Sequence, residues 1–274
     1  MRKSLVALSV LAATALPSVV NAADYSDDIH KNDYKWMNFN LMYALDEYPR
    51  TDSSHSGHDY LEMEFGGRSG VIDLYGYVDV FNLTNSDSQD KSGSDDKIFM
   101  KFAPRFSLDG ITGKDLSFGP VQELYIATLM NWGGDNGGVN NYFIGLGSDV
   151  NVPWLGKIGL NLYGLYDMNK KDWNGYQIST NWFKPFYTFA NGTFLSYQGY
   201  IDYQFGMKKK YASASNGGAM FNGLYWHSER FAVGYGLKAY YNVYGIKDGI
   251  VFPGATEGLN STGFGHYFDI TYKF

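Results

Sequence analysis

Gly265-His266-Tyr267-Phe268-Asp269-Ile270-Thr271-Tyr272-Lys273-Phe274 is the stretch on which the fold is decided. Side chains alternate across a strand, so Phe268, Ile270, Tyr272 and Phe274 share one face while Asp269, Thr271 and Lys273 share the other. The charged face cannot meet lipid, whereas the apolar face can. Alternation alone fits a soluble sandwich equally well, because there the apolar face packs on a core. The choice between the two depends on the rest of the chain.

The other end of the chain carries Arg2 and Lys3, an apolar stretch over residues 5–20, and small residues before a cut between Ala22 and Ala23. This is the pattern of a secretory signal. Residues 1–22 are read as a cleaved signal peptide, 23–34 as a periplasmic N-terminal segment, and 35–274 as a transmembrane barrel. Net charge is −6 and becomes more negative once Arg2 and Lys3 leave, so there is no basic footprint for nucleic acid. An exported chain without cysteine is no disulfide-stapled scaffold and offers no thiolate for metal or catalysis.

Past residue 22 no run of about 18 apolar residues occurs, which excludes a helical span but not a strand barrel. A transmembrane strand needs only about 9–11 residues, and only alternate ones face lipid. The mean hydropathy of −0.29 is therefore neutral between membrane and soluble proteins. Aromatic residues at 18 % and 33 glycines favour a barrel, since Tyr and Trp collect at membrane interfaces and Gly suits curved sheets.

Alternating segments recur at 36–45, 59–65, 71–82, 96–107, 118–132, 141–151, 156–167, 172–184, 193–206, 217–226, 230–245 and 263–274. Twelve is an even number, as a closed antiparallel barrel with both ends in the periplasm requires. The connectors form two sets. Residues 66–70, 108–117, 152–155, 185–192 and 227–229 are compact; residues 46–58, 83–95, 133–139, 168–171, 207–216 and 246–262 are polar and mostly longer. Short turns are periplasmic and long loops extracellular in such barrels. Trp36, Trp132, Trp154, Trp173, Trp182 and Trp226 fall near the ends of these segments, as an interfacial girdle requires. The expected fold is all-β: a monomeric antiparallel transmembrane β-barrel of about twelve strands.

If the apolar face of each strand meets lipid, the other face lines the lumen. This parity turns Glu62, Glu64, Asp73, Tyr75, Tyr77, Asp79, Phe81, Phe99, Lys101, Arg105, Glu123, Tyr125, Phe143, Asp149, Lys157, Asn161 and Tyr163 inward. Gln177, Asn181, Gln198, Asp202, Gln204, Lys238, Tyr240, Asp269 and Lys273 follow. The tenth segment is ambiguous, because Asn222 and Leu224 share a face. The plain reading is that most of these charges pair to neutralise a buried lumen, where leaving one unpaired costs several kcal/mol. The functional reading is a passage lined with aromatic faces and hydrogen-bonding groups. Bases stack on such rings at about 1–3 kcal/mol each, and weak reversible sites suit conduction.

Asp73-Leu74-Tyr75-Gly76-Tyr77-Val78-Asp79, Pro104-Arg105-Phe106-Ser107-Leu108-Asp109, Asp115-Leu116-Ser117-Phe118-Gly119-Pro120, Gly145-Leu146-Gly147-Ser148-Asp149 and Thr262-Gly263-Phe264-Gly265 together resemble the nucleoside-specific channel-forming family called Tsx. The resemblance runs from about Asp28 to Phe274. It implies a narrow channel for nucleosides and deoxynucleosides, with outer loops that bacteriophages can use as a receptor. By position, Phe99, Arg105, Glu123 and Tyr125 match inward family positions, whereas Lys101 and Ala103 stand where the nucleoside channels carry acidic residues. A strand ending on an aromatic residue also resembles the C-terminal signal read by the barrel-assembly machinery. The expected surroundings are outer-membrane lipid and lipopolysaccharide.

Two other classes compete. A barrel enzyme needs a nucleophile, a base and an orienting group in reach. His30 precedes the first segment, His55 and His58 lie in or beside an outer loop, His227 is expected in a turn and His266 faces outward, so no enzyme is expected. His55 and His58 with Asp52 or Asp59 are read as solvated loop residues, and no metal or cofactor is expected. The remaining alternative is a receptor or structural barrel, with outer loops for phage or host surfaces and little nucleoside selectivity.

Overall fold

In the computed structural model, which describes residues 23–53, 57–84, 97–134 and 138–274, twelve antiparallel strands close into one barrel. They are β1 Tyr34–Leu45, β2 Gly57–Ser69, β3 Ile72–Phe81, β4 Ile98–Ser107, β5 Val121–Trp132, β6 Asn140–Val152, β7 Gly156–Asp167, β8 Asp172–Thr188, β9 Phe194–Phe205, β10 Asn216–His227, β11 Phe231–Tyr241 and β12 Gly263–Lys273. Each strand pairs with its sequence neighbours, and β1 pairs with β12 to close the wall. Closure leaves no sheet edge, so lipid meets no unpaired backbone ladder. The expected signal peptide, with Ala22 of its expected cleavage site, lies outside the described residues, as does His55.

The parity of the final strand resolves the ambiguity between sandwich and barrel. Ile270 is 55 % exposed and Phe268 48 %, whereas Asp269 is 5 % and Thr271 6 %. Apolar residues point away from the centre of the molecule and polar ones toward it, which inverts a soluble core. Leu41, Ile72, Ile126, Leu146, Leu162, Ile178, Leu224 and Val233 are exposed in the same way, one strand after another. So continuous an apolar belt is viable only against hydrocarbon.

Several segment ends differ from expectation for identifiable reasons. Gly66 and Gly67 were read as a turn, yet β2 continues to Ser69. Their missing side chains admit close approach rather than a bend: a Cβ on Gly66 would lie 2.7 Å from the Trp36 ring, and one on Gly67 would lie 2.5 Å from the Tyr34 carbonyl oxygen. The true turn is the two-residue connection at 70–71, where Gly70 has φ +55°. β1 begins at Tyr34, one residue inside the segment assigned to the periplasm. β8 runs past Pro185 to Thr188 because the register shifts between Pro185 and Tyr187, a bulge that accommodates the proline. β5 starts at Val121; Phe118 meets Val121 only across the tight bend at Gly119. β11 stops at Tyr241, where Asn242 and Tyr244 take positive φ around a short 3-10 turn, Val243–Gly245.

The connector at 108–120 holds a single helical turn, α1 (Leu108–Thr112), capped by Ser107 Oγ accepting from Gly110 N at 3.0 Å. Trp182 keeps to the aromatic girdle, its ring 5.6 Å from that of Tyr197, which lies 6.2 Å from Trp154 in the β6–β7 turn. Trp182 sits inside the long β8, its ring laid over Gly199 of β9, and is buried.

On the extracellular side the β1–β2 and β11–β12 loops are clasped to each other. Arg50 and Asn260 exchange backbone hydrogen bonds of 2.9 and 2.8 Å. Ser53 N donates to Glu257 at 3.1 Å, and Asn260 Nδ2 donates to Asp52 at 2.6 Å. At the opposite mouth, the N-terminal segment docks on the barrel. Asp33 Oδ1 accepts from Gly70 N at 2.7 Å, and Lys31 Nζ ties the segment to itself through Asp24 at 2.6 Å and Asp27 at 3.0 Å.

Candidate functional site

Inward residues of β2 to β7 build one polar cluster near the periplasmic mouth. Arg105 on β4 reaches Asp73 on β3 at 2.8 Å and Asp149 on β6 at 2.9 Å, and its guanidinium lies 4.1 Å from the Tyr125 ring centre. Lys157 on β7 pairs with Asp149 at 3.2 Å. Glu123 accepts from Arg68 at 2.8 Å, Ser107 Oγ at 2.5 Å and Tyr125 Oη at 2.7 Å. Arg68 Nη2 also donates to Tyr125 Oη at 2.6 Å. Six residues that parity turns inward, Asp73, Arg105, Glu123, Tyr125, Asp149 and Lys157, thus belong to one network. Arg68 escapes the sequence pattern because the neighbouring Gly66-Gly67 pair reads as a turn.

The docked N-terminal segment enters this network. Tyr25 Oη donates to Glu123 Oε1 at 2.6 Å, and the Arg68 guanidinium lies 5.9 Å from the Tyr25 ring centre. Burial, and then the Glu123 carboxylate, push the Tyr25 phenol up to about 12. Residues 23–33 therefore strap the periplasmic mouth through the part-buried Tyr25–Glu123 contact and through Asp33 on Gly70.

A second group lines the wall of β1 to β4. Tyr75 Oη donates to Glu64 at 2.9 Å and Asn40 Nδ2 to Glu62 at 2.6 Å. Tyr75 and Tyr77 are 6.1 Å apart, and Tyr77 lies 6.0 Å from Phe99. Asp79 is buried opposite Phe99 in the ladder. Tyr163 belongs to neither polar group: it is buried with Ala127, Leu129, Phe143 and Leu165 in an apolar patch on the lumen wall.

Between these regions the lumen is crossed. Lys101 on β4 meets Asp202 on β9, five strands away round the barrel, at 3.2 Å. Asp202 Oδ1 also accepts from Ser179 Oγ at 2.6 Å and Gln177 Nε2 at 3.3 Å. Tyr200 and Phe221 stack beside this bridge at 5.8 Å and 11°. Tyr200 shares the parity of Gln198 and Asp202, so the sequence contained the signal for it. Phe221 was hidden by the ambiguous tenth segment, which the structure resolves: Asn222 points outward, its amide oxygen accepting from Tyr197 Oη at 2.7 Å, while Phe221 and Tyr225 point inward.

His227 ends β10 rather than lying in a turn. It bonds Ser196 Oγ at 2.8 Å and stacks on Phe194 at 4.5 Å. Ser196 has no exposed surface, so this pair is a packed hydrogen bond, not an accessible nucleophile. His58 lies on β2, fully buried beside Glu47 at 3.3 Å, and not in a solvated loop. Among the described residues no group of three or more His, Cys, Asp or Glu is arranged to hold a metal ion.

A closed wall with an apolar exterior, aromatic residues at its rims and a polar, side-chain-lined lumen defines an outer-membrane channel-forming barrel. Residues 31–274 match the model of the nucleoside-specific channel-forming protein, Tsx, and the chain belongs to that family. It is 72 % identical to outer membrane protein OmpK of Vibrio parahaemolyticus, with all of both chains covered. It is 28 % identical to the nucleoside-specific channel-forming protein Tsx of Klebsiella aerogenes, again over all of both chains. Among solved structures it is similar to a KdgM porin, with a TM-score of 0.46 and 12 % identity, covering 86 % of this chain and 99 % of that one.

Proposed function

We propose that the barrel passes small polar solutes, nucleosides and deoxynucleosides among them, by passive diffusion. The observation that carries this reading is the lumen itself, where tyrosine and phenylalanine faces alternate with charged and amide groups on both sides of the Lys101–Asp202 crossing. A base stacks on the rings, and ribose hydroxyls exchange hydrogen bonds with carboxylates and amides. Each contact is weak enough to release the solute. Phe99, Tyr75, Tyr77, Asp79 and Glu64 form one wall of the path. Arg105, Glu123, Tyr125, Asp149 and Lys157 form its periplasmic end, and Tyr163 packs the wall behind them. The name of the Tsx relatives, nucleoside-specific channel-forming proteins, supports the same reading. Planar-bilayer recordings on the purified barrel test it: adenosine or thymidine should block the ionic current in a concentration-dependent way, and current unaffected by either would sink the nucleoside claim.

A receptor role for the outer face is favoured by the clasped loops, which give that face a fixed shape. Loop deletion separates the roles: phage adsorption should vanish while solute flux persists. The lipopolysaccharide leaflet around the exposed belt, and assembly through the C-terminal strand by the barrel-assembly machinery, belong to this reading as well.

A further inference from the structure

We infer that the middle of the lumen holds a subsite for an anionic, phosphorylated nucleoside, formed by Lys101 and Lys238 about the ring of Tyr200; it rests on the nucleoside reading above and narrows it. The two ammonium groups lie 5.8 and 5.9 Å from the same ring centre. Lys238 Nζ is also 5.0 Å from the Tyr240 ring and 5.4 Å from the Tyr267 ring, and it makes no ion pair among the described residues. Three phenol faces thus hold this cation in place without neutralising it. Glu47, whose charge reaches Lys238 without pairing with it, accepts from Tyr267 Oη at 3.1 Å and faces His58 at 3.3 Å.

Lys101 is held differently, by the cross-lumen pair with Asp202. Asp202 has other donors in Ser179 and Gln177, so its carboxylate stays hydrogen-bonded when Lys101 turns away. A phosphate monoester can therefore take Lys101 from Asp202 and share it with Lys238. Lys238, ion-paired to no carboxylate among the described residues, is the cation left to meet the incoming anion. Lysines suit this task because an ammonium acts as a point charge on phosphate. The rings of Tyr77, Tyr200 and Phe221 lie within the same group and present faces to a base. Glu62, Glu64 and Asp269 line a different arc of the wall, where amino and hydroxyl donors of the solute find acceptors. A neutral nucleoside has nothing to exchange for Asp202, whereas its phosphate ester has.

Planar-bilayer current block by adenosine 5′-monophosphate, adenosine and inorganic phosphate, applied to the complete barrel, tests this. At about 0.1 M salt the monophosphate should block at roughly tenfold lower concentration than adenosine, and the advantage should shrink at about 1 M salt as the screening length falls from about 10 to 3 Å. Lys238→Gln should bring the adenosine-to-monophosphate ratio of blocking concentrations close to one, and Lys238→Arg should keep it above one. Block by adenosine with no advantage for the monophosphate in the unaltered protein overturns the subsite and leaves the nucleoside channel standing. Inorganic phosphate blocking as well as the monophosphate overturns the nucleotide assignment. No block by any of the three removes both readings.

Discussion

Arg105 offers the most direct test of how the lumen charges are held. Arg105→Met keeps an unbranched apolar stem but removes the guanidinium and its two charge-assisted hydrogen bonds, to Asp73 and to Asp149. Each such bond contributes about 1.5–3 kcal/mol, which brackets the loss at about 3–6 kcal/mol. Removing one partner of a buried ion pair costs about 3–5 kcal/mol, and the two estimates meet near 4. The stranded carboxylates are not equivalent. Asp149 keeps Lys157 at 3.2 Å, whereas the nearest remaining cation to Asp73 is Arg68 at 4.0 Å, already committed to Glu123. Arg105→Met combined with Asp73→Asn should therefore recover more stability than Arg105→Met combined with Asp149→Asn. Urea unfolding of the barrel in lipid vesicles, followed by tryptophan fluorescence, measures all three. A loss below about 1 kcal/mol for the single variant would mean that solvent in the lumen screens these groups as at an open surface. Equal recovery in the two double variants would refute the asymmetry.

Gly145 faces the lumen where a Cβ would lie 1.9 Å from the Leu162 carbonyl oxygen, so Gly145→Ala should destabilise the barrel by about 1–3 kcal/mol or prevent closure. Retention of the heat-resistant compact band on a denaturing gel, at the unaltered melting temperature, would contradict this. The strap should release at alkaline pH: its tyrosine phenol is raised in the docked state, so the contribution of Tyr25 is complete below about pH 10 and is lost as pH rises through about 12. A phenolate absorbance titration of the protein against Tyr25→Phe isolates this group, and a midpoint near 10 would show that the strap does not hold it.

Most of the wall was legible from alternation, because a strand with lipid on one side and water on the other must segregate its residues at every second position. Asp269 and Thr271 against Phe268 and Ile270 gave the rule, and it carried to most other strands. It failed where a residue's role was to make room for another. Gly66 and Gly67 lie beneath Trp36 and Tyr34, and Trp182 lies over Gly199; neither relation leaves a periodic trace. Asn222 misled because a polar residue on the lipid face is satisfied by a neighbour, Tyr197, that pairing alone could reveal. Within the site, the members of the Arg105 network were visible as inward charges but their partners were not. The crossing of Lys101 to Asp202 depends on which strands face each other across a closed, staggered wall, and no local pattern encodes that. The strap was illegible for a different reason: residues 23–33 have no alternation and dock through Tyr25 and Asp33.

The clasp between the first and last outer loops gives the cell-exterior face an unusual origin. Ser53 and Glu257 are 204 positions apart and lie side by side. Any antibody that settles over this corner reads the first and last outer loops at once, as a conformational epitope that exists only after the barrel has closed. Peptides copied from either loop should therefore make poor immunogens for the intact surface, while a recogniser raised on folded protein would report, by binding, that the β1–β12 seam has formed.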